Sequence, residues 1–223
     1  MSFLRLENKI PSLALGIFAF SLILLTHVQK GEVQRVSPTF IAPPKQLERF
    51  VFGYQEVVAD LLWIRAIQDF DYCDEVLGKH LCRGNSWLFK MLDTVTNLSP
   101  HFRTPYASGA LALTVIISDY EGAKIIFDKG VERFPNDWQI LYRAAYHYMY
   151  EVKDNKRAAQ LLIRAADNGA PKWAYALAGR LYSDSGALDL AEAVLAEMKA
   201  SGQEEQFIKR LEDKINSMKN PPR

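Results

Sequence analysis

The pattern of apolar and charged positions divides the chain into two unlike parts. No charged residue falls between Lys9 and Lys30, and residues 10–28 inside that gap (IPSLALGIFAFSLILLTHV) are mostly apolar. A helix of this length spans roughly 28 Å, close to the ~30 Å hydrocarbon core of a bilayer. The run is apolar all round, as a lipid-facing helix is and an amphipathic surface helix is not. It ends in Thr26, His27, Val28, Gln29 and Lys30, without the small residues of a signal-peptidase site, so an uncleaved signal anchor is expected rather than a removed leader. Residues 29–47 carry Pro38, Pro43 and Pro44 and no helical period, and read as an extended linker. From there on, apolar residues recur at three- and four-residue intervals, as in Leu88, Leu92 and Val95 or Phe207, Leu211 and Ile215. That spacing predicts amphipathic helices.

The helical part repeats. Counting from Thr104, Ala123 falls at position 20, Phe127 at 24, Gly130 at 27 and Pro135 at 32. The next unit, from Trp138, places Ala158, Leu162 and Ala165 in the same relation, with one extra residue in the turn around 153–156. A third, from Lys172, has Gly179, Tyr182, Gly186, Ala191, Leu195 and Met198. The equivalent alanines 123, 158 and 191 are 35 and 33 residues apart. This pattern resembles the tetratricopeptide repeat, a helix–turn–helix unit of 34 residues. The resemblance implies small residues where paired helices cross, and units that stack because none can bury its own apolar face.

A degenerate unit precedes these. Its second helix is predicted over Trp87–Leu98, closed by Pro100, and its first over 54–72, with about nine residues inserted around 73–85. Residues 203–218 predict a capping helix with Ser201 as its N-cap. The expected organisation is a head (1–9), an anchor (10–28), a linker (29–47), a solenoid (48–200, units about 52–103, 104–137, 138–171 and 172–200), a cap (201–218) and a tail (219–223). The fold class is thus all-α: a repeat solenoid of about four units with one N-terminal transmembrane helix.

Charge narrows the function. The chain has 27 basic and 26 acidic side chains, and with Arg5, Lys9 and Glu7 set aside the counts beyond residue 28 are 25 and 25. A neutral domain lacks the basic face with which nucleic-acid binders neutralise phosphates, so no nucleic-acid partner is expected. Cys73 and Cys82 flank the insertion and are read as a disulfide in an oxidising compartment, with free thiols or a metal site including His80 as alternatives. The C-x6-H-x-C spacing is unlike common zinc patterns. Phosphate-binding, nucleophile-elbow and zinc-protease motifs do not occur. No enzyme activity, cofactor, metal or small-molecule substrate is therefore expected. Asp60, within the apolar stretch VVADLLWIRAIQ, reads as an outward or locally bonded carboxylate, and Arg65 and Asp69 as a surface pair.

In the repeat family, positions 2, 5, 9 and 12 of each first helix face a concave groove. Carried onto this chain, they include Tyr142, Tyr146 and Met149 of one unit and Trp173, Ala176, Arg180 and Ser183 of the next. Tyr142, Arg143, Tyr146, Tyr148 and Tyr150 make the unit from Trp138 dense in types that anchor interfaces. The groove positions lack the lysine and arginine set with which chaperone-binding members clamp a C-terminal carboxylate. The expectation is a scaffold tethered to the inner membrane, its C-terminal domain periplasmic, that gathers protein partners for assembly of an envelope complex of pilus, motility or secretion type. The alternative is a biogenesis factor or holdase near a translocon.

Overall fold

A computed structural model describes residues 16–21, 40–44, 46–69 and 82–220. Among these every regular element is helical. The chain divides into two compact units, Met1–Phe40 and Ile41–Arg223.

In the first unit, residues 16–21 form a helical stretch in which Ile17, Phe18 and Phe20 are exposed and the Ser21 hydroxyl donates to the Ile17 carbonyl at 2.8 Å. Among the described residues no helix is long and apolar enough to cross a membrane. Most of the expected span, 10–28, lies outside the described residues.

The second unit is a succession of helices: α1 (Gln55–Gln68), α2 (Trp87–Leu98), α3 (residues 105–117), α4 (Tyr120–Arg133), α5 (Trp138–His147), α6 (Asn155–Asp167), α7 (Trp173–Asp184), α8 (Leu188–Ala200) and α9 (Glu205–Lys219). Each packs on the next, and α7 also packs on α9. The starts of α2, α4, α6 and α8 at residues 87, 120, 155 and 188 reproduce the sequence period, with steps of 33, 35 and 33. Buried alanines sit where close crossing demands them: Ala123, Ala158 and Ala191 are all fully buried. Gly179 meets α9 so closely that a Cβ there would lie 2.4 Å from Leu211 Cδ2.

Capping residues explain the helix starts. Ser86, Asp119, Asp137 and Asp154 each accept a bond from an amide in the first turn of the helix that follows. Asp119 does more. Its carboxylate, 0% exposed, accepts from Gly84 N (2.7 Å), Ser86 N (3.1 Å), Ser86 Oγ (2.6 Å) and Gly122 N (3.0 Å), joining the starts of α2 and α4. Two helix N-termini therefore supply the positive partial charge that a buried anion needs.

Helices α3 and α5 end unusually. Each closes in a π-helical turn, Leu113–Ile117 or Tyr148–Val152, stopped by a left-handed residue that is not glycine: Ser118 and Lys153, both at φ 63°. Gly186 holds the equivalent place after α7. The turns after α3 and α5 have the same length, Ser118–Asp119 and Lys153–Asp154, so the extra residue expected around 153–156 does not lie there.

Several expectations are corrected. Helix α1 stops at Gln68, where Asp69 turns extended, rather than running to 72. The folded unit already includes the last residues of the expected linker, because Trp87 Nε1 donates to the Ile41 carbonyl at 3.1 Å and Asn97 Nδ2 to Glu48 Oε1 at 2.9 Å. Ser201 does not cap α9. It closes α8, donating to Glu197 O at 2.8 Å, and Glu204 precedes α9 without a side-chain cap. Arg65 does not pair with Asp69 but lies over the Trp87 ring, 5.9 Å from its centre. Asp60 is exposed.

Candidate functional site

Helix α5 sorts its residues by face. Ile140, Leu141, Ala144, Ala145 and Tyr148 are buried, which leaves Tyr142, Tyr146 and Tyr150, four residues apart, on another side. Their rings form a row. Tyr142 and Tyr146 have centroids 5.0 Å apart, and Tyr146 and Tyr150 5.3 Å. Tyr142 continues the row onto α7 through an edge contact with Trp173 at 5.6 Å. These separations are those of favourable aromatic pairs. The row remains open to solvent: Tyr146 is 38% exposed, Tyr150 53% and Trp173 36%. Burial, followed by the hydrogen bond with Tyr146, pushes the Tyr142 phenol well above its usual range, so it stays protonated as a donor.

Trp173 also opens a groove of about 390 Å³ between α7 and α9. Its apolar end is made by Trp173, Leu177 and Phe207, and its other end by Arg180, Arg210 and Lys214. Lys214 pairs with Asp184 at 2.7 Å, and Arg180 approaches the same carboxylate at 3.7 Å. Arg210 is exposed and, among the described residues, makes no ion pair. The basic end thus carries more positive charge than its one carboxylate neutralises.

Of the residues expected in the groove, the structure brings together Tyr142, Tyr146, Trp173 and Arg180. Arg143 and Met149 are half-buried and line neither the ring row nor the pocket. Ser183 is buried and donates to Gly179 O at 3.1 Å, so it belongs to the core. Tyr148 is buried too, its hydroxyl donating to Asp128 at 2.6 Å. Sequence reasoning counted Tyr150 among the interface-anchoring types without giving it a groove position, and it missed Phe207, Arg210 and Lys214 as site residues. Those three lie on the capping helix, where a repeat template assigns no groove positions. The four-residue steps Phe207, Leu211, Ile215 and Arg210, Lys214 were the available signal.

Elsewhere, His147 is 2% exposed, with Nε2 at 3.1 Å from the Tyr120 carbonyl and Nδ1 at 3.0 Å from Thr114 Oγ1. Because a carbonyl only accepts, Nε2 carries the proton. Burial pushes its pKa down to about 4, so this is a neutral packing histidine. Of the cysteines, Cys82 is disulfide-bonded and Cys73 lies outside the described residues, as does His80. Among the described residues no cluster of His, Cys, Asp and Glu could hold a metal ion.

No protein-family model matches the chain, and neither the curated proteins nor the solved structures include a match.

Proposed function

We propose that this chain is a membrane-anchored adaptor of the tetratricopeptide-repeat kind. Its helical unit captures a protein partner along the α5–α7–α9 face, and its N-terminal segment, residues 10–28, tethers the complex to the inner membrane from the periplasmic side. The work it serves is assembly or stability of an envelope machine. The observation that carries this reading is the open aromatic row Tyr150–Tyr146–Tyr142–Trp173. Aromatic rings held by one another lose little freedom on binding and offer large apolar area, which is how interface anchors work. The regular start-to-start steps of α2, α4, α6 and α8 support the repeat reading. The uncharged N-terminal run supports the anchor, which would raise the local concentration of whatever is bound.

The test is recovery of crosslinked partners from native membranes in mild detergent. The double variant Tyr142→Ala and Tyr146→Ala is expected to lose most of its recovered partner while its circular dichroism stays unchanged. Equal recovery from variant and parent overturns the reading. Fusion of a topology reporter to the C-terminus checks the periplasmic placement, and a reporter active only in the cytoplasm overturns that part.

A further inference from the structure

The groove between α7 and α9 is polarised, and its polarity specifies what fits. Trp173 and Phe207 occupy the first turns of their helices, while Arg180 lies seven residues further along α7 and Lys214 seven residues further along α9. Seven residues of helix advance about 10 Å. Trp173 and Arg180, and likewise Phe207 and Lys214, are therefore about 10 Å apart along their helices, with Leu177 and Arg210 between them. Three cations line this part of the groove; Asp184 pairs with Arg180 and Lys214, and among the described residues Arg210 makes no ion pair. An incoming carboxylate would complete the charge balance, whereas an amide of the same shape would gain no such pairing.

We infer that the partner segment held here is a stretch of polypeptide in the polyproline II conformation, carrying a bulky apolar side chain and, three residues later, an acidic side chain: the apolar group rests on Trp173, Leu177 and Phe207, and the carboxylate meets Arg180, Arg210 and Lys214. Three residues of polyproline II chain make one turn and advance about 9 Å, which returns the second side chain to the same face at close to the separation of Trp173 from Arg180. The groove is continuous with the tyrosine row through Trp173, so the segment extends onto that row. The acid assigned is a side chain, Asp or Glu, and a chain terminus in its place is the outcome that a free-carboxylate peptide would reveal. This inference rests on the adaptor reading and gives its partner a chemistry.

The experiment uses the full chain in detergent and three fluorescein-labelled peptides with blocked ends, of pattern Trp-Ser-Ser-Glu, Trp-Ser-Ser-Gln and Trp-Glu-Ser-Ser, read by anisotropy. The first is expected to bind at least tenfold more tightly than the other two, and to weaken as salt rises from 50 to about 300 mM. In the double variant Arg180→Gln and Arg210→Gln, the preference for Glu over Gln is expected to vanish while binding of the Gln peptide stays the same. Equal affinity for the Glu and Gln peptides in the parent overturns the inference. So does a preference that survives in the double variant. An amide-capped terminus that abolishes binding, with a free C-terminal carboxylate restoring it, also overturns it. Partner recovery distinguishes this inference from the reading beneath it. Recovery lost with the tyrosines but untouched by Arg180→Gln and Arg210→Gln sinks only the acidic segment, whereas recovery indifferent to the tyrosines sinks the adaptor.

Discussion

Ser86 Oγ lies 2.6 Å from Asp119 Oδ2, across 33 residues of chain, and donates to it while accepting from Phe89 N. The serine is thus the cap of α2 and the link from α2 to the cap of α4. Replacement of Asp119 by Ala would leave the amides of Gly84, Ser86 and Gly122 without this acceptor. Unsatisfied buried donors of this kind destabilise strongly, and a loss of about 3 kcal/mol is expected. Asp119→Asn keeps one acceptor oxygen and should lose less. Urea unfolding followed by circular dichroism checks both values.

His147 makes stability depend on pH in a definite direction. Its folded pKa is held down at about 4, against 6.5 for the free side chain. As pH falls through 6.5, the unfolded chain takes up a proton that the folded one refuses, so stability drops until about pH 4, where both forms bind it. The contribution is on the order of 3 kcal/mol. Carboxylates titrate in the same region, so the measurement is the difference between parent and His147→Gln. The variant should show a shallower loss of stability between pH 6.5 and 4.

Ser118 and Lys153 hold a backbone conformation that costs L-residues about 1 kcal/mol or more, and both are exposed. Glycine relieves that strain but adds freedom to the unfolded chain. Lys153→Gly is therefore expected to raise stability slightly, by about 0.5 kcal/mol. Lys153→Val, branched at Cβ, is expected to lower it by more than that. Thermal melts of the two variants should bracket the parent.

Gly179→Ala drives a methyl into Leu211. The contact is with a side-chain end, so α9 or the leucine must give way, at a cost of about 1–3 kcal/mol. Pairing it with Leu211→Val should recover part of the loss, which a double-mutant cycle on melting data would reveal.

Much of the architecture was legible in the sequence because its causes are local. Helix α2 falls on the residues expected, since Ser86 and the spacing of Leu88, Leu92 and Val95 define both its start and its buried face. The period of the second helices was legible through Ala123, Ala158 and Ala191 for the same reason. What escaped depends on contacts between distant residues. Asp119 looks like one more surface carboxylate until Gly84 and Ser86 fold onto it. Tyr148 and Tyr150 are two residues apart in one helix, and only packing decides that the first is buried and the second exposed. The π-helical turns of α3 and α5 have no single-residue signature. The basic end of the groove was hidden because a template of repeats stops before α9, so Arg180 stood alone.

The seating of α9 on Gly179 carries a practical consequence. This last helix is both the lid that keeps α7 dry and one wall of the groove, contributing Phe207, Arg210 and Lys214. A shortened protein ending at Ala200 would bare a strip of α7 built to touch Leu211 and would present half a cleft. Its stickiness in a binding assay would report the wound left by the cut, and its failure to hold a partner would say nothing about the intact molecule.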